Sequence, residues 1–191
     1  MQKLISDILS RSIDTKKAIL NDPTLIDKIA TVTEICTRCF NDGGKVLFCG
    51  NGGSAADAQH LAAEFSGRFY SDRDPLFSEA LHVNTSYLTA VGNDYGYEYV
   101  YSRLIKAKGQ KGDILIGLST SGNSKNIVKA FEQARTQGVI CIGMTGKSGG
   151  KMLDCSDHMM RVPSNDTPRI QECHITIGHI ICELVEKNIF S

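Results

Sequence analysis

His60 and Glu64 stand four residues apart in SAADAQHLAAEFSGRF (54–69). On a helix this spacing stacks two side chains on one face, where an imidazole and a carboxylate can share a metal ion or a substrate. A His and a Glu so placed are commonly no more than a solvated pair. Here Ala55, Ala56, Ala58, Ala62 and Ala63 surround them, so the face is either packed or the wall of a pocket. The end of the chain adds Arg169, Gln171, Glu172, His174 and His179 among Ile175, Ile177, Ile180, Ile181, Leu184 and Val185. Polar residues in an apolar helix need partners. At about 100° per residue, Glu172 and His179 fall within roughly 20° of each other, whereas Gln171 and His179 are about 80° apart and two turns away. Position alone therefore favours Glu172 as the companion of His179. His82 and His158, on or near strands, read as packed or surface residues.

Three loops rich in Gly, Ser and Thr form a second group of candidates. KVLFC leads into Gly50-Asn51-Gly52-Gly53-Ser54, DILIGL into Ser119-Thr120-Ser121-Gly122-Asn123-Ser124, and VICIGM into Thr145-Gly146-Lys147-Ser148-Gly149-Gly150. Glycine lets the backbone approach an anion, hydroxyls donate hydrogen bonds, and a following helix adds unpaired N–H groups and its dipole. Any one such loop is equally a tight βα turn; several at one sheet edge favour a phosphate site. Gly146-Lys147-Ser148 resembles the end of a Walker A loop, but Cys141 occupies the place of the glycine required five positions earlier. The first loop also lacks G-x-G-x-x-G, which argues against both an NTPase and a dinucleotide dehydrogenase. STSGNS (119–124) contains no lysine and suits the single terminal phosphate of a small molecule.

The elements that position these loops are short β-rich runs, at 45–50, 80–84, 113–119, 139–145 and 158–163, most of them followed by helical stretches. This is the pattern of a doubly wound α/β domain with a five-stranded parallel sheet flanked by helices. ILIGL and VICIG are apolar almost throughout, as central strands covered on both faces must be. Ligands of such sheets sit beyond the carboxyl ends of the strands, where the three loops lie. Residues 2–41 read as two amphipathic helices interrupted at Asp22-Pro23 and ended by Gly43-Gly44. Their apolar stripes need burial against the domain or a second subunit, so they are assigned to oligomer packing. The last helix spans about Pro168 to Asn188. A single domain over 1–191 is expected, with the helical pair at 1–42 and the α/β core at 43–191.

Composition narrows the function classes. Lys and Arg number 21 against 21 Asp and Glu, which argues against a basic nucleic-acid groove. No apolar run reaches the roughly 20 residues needed to cross a bilayer, and charges interrupt the N-terminus, so a cytoplasmic protein with no membrane partner is expected. The seven cysteines are an odd count in a chain long enough to fold without disulfides, which indicates reduced thiols. Cys36 and Cys39 form a C-x-x-C, but the apolar spacing from Ile29 to Phe40 assigns them to helix packing.

Together, CGNGGSAADAQHLAAEFSGR (49–68), VGNDYG (91–96), STSGNS (119–124), TGKSGG (145–150) and PSNDTPRIQECH (163–174) resemble the phosphoheptose isomerases of the sugar-isomerase (SIS) domain superfamily. The resemblance implies interconversion of sedoheptulose 7-phosphate and D-glycero-D-manno-heptose 7-phosphate, the first step toward the ADP-heptose of lipopolysaccharide cores or other surface glycans. It implies cytoplasmic homotetramers with sites between subunits and one zinc ion per subunit. His60, Glu64, Gln171 and His179 become the zinc site, so the resemblance selects Gln171 where helical position selected Glu172. Asn51, Gly52, Gly53, Ser54, Glu64, Asn93, Asp94, Ser119, Thr120, Ser121, Ser124 and Gln171 become the sugar-phosphate site, with Arg68 nearby. Glu64 is the implied base and His179 the implied acid. Two other readings remain: a non-enzymatic SIS-fold tetramer that binds the replication initiator protein, and another phosphosugar isomerase or sugar sensor.

Overall fold

Asp22 and Pro23 separate helix α1 (Gln2–Leu20) from helix α2 (Pro23–Asn41) in a computed structural model that describes residues 1–191. The Asp22 carboxylate accepts the Leu25 N–H at 3.1 Å and Pro23 occupies the first turn, where its missing N–H costs nothing. Gly43, at φ +76°, turns the chain into the sheet. The second helix buries Leu25, Ile29, Val32, Cys36 and Cys39, whereas the first buries only Ile19 and leaves Leu4, Ile5, Ile8, Leu9 and Ile13 exposed.

Five parallel strands follow: β1 (Val46–Gly50), β2 (Ser78–Ala80), β3 (Ile114–Ser119), β4 (Ile140–Thr145) and β5 (His158–Arg161), in the order β2-β1-β3-β4-β5. Every residue of β1 and β3 is buried, which explains their unbroken apolar runs. Side chains alternate between two cores. Val46, Phe48, Ile114 and Ile116 join α2, α3 (Gly53–Ser66) and α7 (Thr167–Phe190). Leu47, Cys49, Leu115 and Cys141 join α5 (Val100–Lys108) and α6 (Lys125–Thr136) on the other face. The sheet is thus doubly wound as expected, and all seven cysteines are buried and unpaired.

One strand differs from expectation. The edge strand is Ser78–Ala80 rather than 80–84. It pairs only with Val46–Phe48, Leu81 donates its N–H to Phe48 O at 2.9 Å, and Asn84 then caps α4 (Thr85–Asp94) by accepting the Tyr87 N–H at 3.0 Å. Residues 81–84 must therefore turn, although their composition is that of a strand. No helix is long and apolar enough to cross a membrane.

The contact that matters most for the site is that of α7 on α3. Gly178 allows it: a Cβ there would lie 2.5 Å from Leu61 Cδ2, inside any tolerable contact. Gly178→Ala is expected to destabilise the fold by about 1–3 kcal/mol through overpacking, measured as a lowered urea midpoint. An unchanged midpoint would show that the two helices do not meet this closely.

Candidate functional site

α3 begins three residues after β1 ends, so its first turn lies at the carboxyl edge of the sheet. Two turns further on it carries His60 and Glu64, and α7 brings His179 to them. His60 Nε2 lies 3.1 Å from Glu64 Oε1 and 2.9 Å from His179 Nε2, and the three donor atoms all fall within 4.8 Å of one another. The ring of Phe69 backs His179 at a centroid distance of 5.7 Å. The His60 side chain is 50% exposed and that of Glu64 22%, so the cluster opens to solvent. Two imidazole nitrogens aimed at each other and at a carboxylate form a donor set suited to a metal ion. Tetrahedral ligands at about 2.1 Å from an ion lie ~3.4 Å apart, close to the 3.1 and 2.9 Å that separate His60 Nε2 from its two neighbours. All three donors belong to one chain, so gathering them requires no second subunit.

Glu172, favoured by helical position, is committed elsewhere. It accepts a hydrogen bond from Ser12 Oγ at 2.7 Å and pairs with Arg169 Nη2 at 2.6 Å, and Arg169 also donates to Ile8 O. These contacts tie α1 to the start of α7. Gln171 instead lays its amide over Gly53, where a Cβ would come within 2.7 Å of Gln171 Nε2. It thus stands beside the head of the helix that carries His60 and Glu64. His174 is fully enclosed, and burial, only partly opposed by the Thr145 backbone, pulls its pKa down to about 4.

The loops divide into two roles. In the first, Gly52 takes φ +56°, and Ser54 is buried just inside α3. Asn51 and Asn126 pair their amides reciprocally, at 2.9 and 2.8 Å, and Tyr97 Oη donates to Asn51 Oδ1 at 3.3 Å. In the second, the hydroxyls of Ser119 and Ser124 are 3.0 Å apart, Ser121 Oγ accepts the Asn123 N–H, and Thr120 O accepts the Gly146 N–H. The third loop, expected as another anion cradle, props the second. Gly122 and Gly150, both at positive φ, press backbone to backbone; Met152 N–H donates to Gly122 O and Lys151 N–H to Asn123 Oδ1. A cavity of about 440 Å³ beside the first two loops is lined by Asn51, Tyr95, Tyr97, Ser124 and Asn126, among others. Asn93 and Asp94 are exposed at the end of α4, immediately before its tyrosines. The His60–Glu64–His179 cluster does not line this cavity.

A family model described as the SIS domain matches residues 13–146. Over 190 residues the chain is 53% identical to a phosphoheptose isomerase of Aneurinibacillus thermoaerophilus, covering 100% of this chain and 96% of that one. The chain belongs to the SIS domain family, among its phosphoheptose isomerases. Phosphoheptose isomerase 2 of Campylobacter jejuni is 53% identical over 179 residues, 94% of this chain and 89% of that one. Solved phosphoheptose isomerases superpose closely. That of Francisella tularensis gives a TM-score of 0.93 at 35% identity, and that of Neisseria gonorrhoeae 0.91 at 39%, each covering 97% of this chain and 98% of the other. The SIS domain match ends before α7, and the full-length relatives carry the family likeness across Gln171 and His179.

Beside the His60–Glu64–His179 cluster lies a buried ion pair absent from the sequence-based candidates. Glu186 accepts the N–H groups of Phe69, Tyr70 and Ser71 at 2.9–3.0 Å and Arg73 Nε at 3.1 Å. The one signal for it was Glu186 standing seven residues after His179, on the same face of an apolar helix. Burial pushes its carboxyl pKa up, but the bonds from Ser71, Tyr70, Phe69 and Arg73 outweigh burial and hold it at about 2. The two buried groups predict an acid profile. A His whose folded pKa is depressed contributes stability that is lost as pH falls from about 6.5 toward 4, and a depressed carboxylate loses its contribution between about 4.5 and 2. Urea unfolding across pH 7 to 2.5 is expected to show both declines, with Glu186→Gln flattening only the lower one; equal acid sensitivity of variant and parent below pH 4.5 would contradict this.

Proposed function

We propose that this chain isomerises sedoheptulose 7-phosphate to D-glycero-D-manno-heptose 7-phosphate. The observation that carries the reading is the convergence of His60, Glu64 and His179, the first two of them on the helix whose first turn follows the Gly50–Ser54 loop at the carboxyl edge of the sheet. Aldose–ketose isomerisation moves a proton between C1 and C2 through an enediol, which requires a base, an acid and charge stabilisation at the oxygens. Glu64 takes the proton and His179 returns it. Glu64 Oε1 faces His60, so Oε2 is the oxygen assigned to the substrate. Ser119, Thr120, Ser121 and Ser124 hold the terminal phosphate several carbons away, using remote binding energy to orient C1 and C2. Asn51, Gly52, Gly53 and Ser54 hold the sugar from the head of α3, and Asn93 and Asp94 from the end of α4. Asn126 and Tyr97 fix the Asn51 amide for that purpose.

His60, Glu64 and His179, with Gln171 as the fourth ligand, would hold one zinc ion per subunit. Zinc bound there supplies Lewis-acid stabilisation for the charge that builds on the sugar oxygens. The same reading makes the protein a cytoplasmic homotetramer serving ADP-heptose and lipopolysaccharide synthesis, and the exposed apolar stripe of α1 supports assembly. A fold-sharing tetramer that only binds the replication initiator protein would have no use for this donor cluster, and neither a membrane nor a nucleic acid is assigned as partner.

Incubation with sedoheptulose 7-phosphate is expected to yield the aldose, and none would overturn the reading. Glu64→Gln should lower kcat by about 10²–10⁴-fold while leaving the fold intact; near-normal turnover would remove Glu64 from the role of base. Ser119→Ala and Ser121→Ala should each raise KM by roughly 10-fold or more with smaller loss of kcat, and an unchanged KM would place the phosphate elsewhere. A chelator should abolish activity and added zinc restore it, whereas a fully active metal-free protein would reject the zinc assignment.

A further inference from the structure

Arg73 makes five hydrogen bonds, four of them to carbonyls of one short segment, residues 64–74, and one to Glu186. Its Nε bonds Glu186, Nη1 donates to the carbonyls of Phe65, Gly67 and Asp74 at 2.8–3.1 Å, and Nη2 donates to the carbonyl of Glu64 at 2.9 Å. The carbonyls of residues 64 and 65 belong to the last turn of α3, which has no intrahelical partners for them. The Arg73 and Glu186 side chains are only 3% and 5% exposed.

Burying such a pair adds little to stability, because desolvation offsets most of the attraction, and an apolar pair would serve packing as well. It does specify geometry. The bond to Glu64 O sets the terminal turn on which the Glu64 carboxylate is mounted. The bond from Phe69 N–H to Glu186, 3.0 Å, fixes the residue whose ring backs His179. Glu186 and His179 lie on the same face of α7, so α7, the 67–74 loop and the end of α3 form a closed circuit around the cluster. Arg68 sits between two anchored residues, with Gly67 O bonded to Arg73 and Phe69 N–H bonded to Glu186.

We propose that Arg73 and Glu186 are positioning residues that hold Glu64 and His179 in the mutual geometry required for metal binding and proton transfer. The inference rests on the metal-dependent isomerase reading above. The test uses the full-length protein and three measurements: zinc affinity by competition with a chromophoric chelator, steady-state isomerisation, and urea unfolding. Glu186→Gln is expected to weaken zinc binding and lower kcat, each by about 10–100-fold, with KM for the sugar phosphate changed less than about threefold. Ile105→Val, in the core on the opposite face of the sheet, serves as the stability control and should leave both zinc affinity and kcat within about twofold. If Glu186→Gln fails to fold, Arg73→Lys keeps the charge but loses the fork and is expected to show the same two losses. Parent-like zinc affinity in a folded variant of the Arg73–Glu186 clasp, or losses in Ile105→Val in proportion to its stability, would overturn the proposal. A parent protein that binds zinc but does not isomerise the sugar would fail the functional reading alone, because the zinc measurement still decides the role of the clasp.

Discussion

The seating of α7 against α3 is the contact on which the site depends, because His60 and Glu64 belong to one helix and His179 to the other. No single element holds more than two of the three donors. Gly178, adjacent to His179, removes the side chain that would otherwise hold the helices apart, and Leu61, adjacent to His60, fills the space. A packing contact between neighbours of the donors thus sets the distance between the donors themselves. Close-packed interiors transmit such constraints because side chains have little free volume in which to adjust.

The sheet supplies the second constraint. Parallel strands deliver every following loop to one edge, and that edge receives the head of α3 as well as the Ser119–Ser124 loop. Gln171, on α7, lies over Gly53 at the head of α3. The third Gly-rich loop contributes indirectly, by bracing the second through Gly122 and Gly150.

Much of this was legible in the residues. The apolar runs of β1, β3 and β4, the Asp22-Pro23 break and the helical spacing of Cys36 and Cys39 are local signals, and each became the expected element. The i, i+4 pair of His60 and Glu64 was legible for the same reason. Contacts between distant segments were not. The β-rich run ALHVN suggested a strand, yet the pairing available from β1 and the capping demand of Asn84 placed the strand earlier. Helical angle chose Glu172 over Gln171, but angle alone cannot show that Ser12 and Arg169 claim the Glu172 carboxylate. Glu186 and Arg73 are 113 residues apart, so nothing local announced their pairing.

The central claim is that three side chains from two helices of one chain form a metal site. The most direct measurement is anomalous X-ray scattering at the zinc absorption edge from crystals grown with zinc. The account predicts one strong peak per chain, about 2.0–2.2 Å from His60 Nε2, His179 Nε2 and a Glu64 oxygen. A zinc-saturated crystal with no peak among these three residues, or with its peaks only at other side chains, would contradict it.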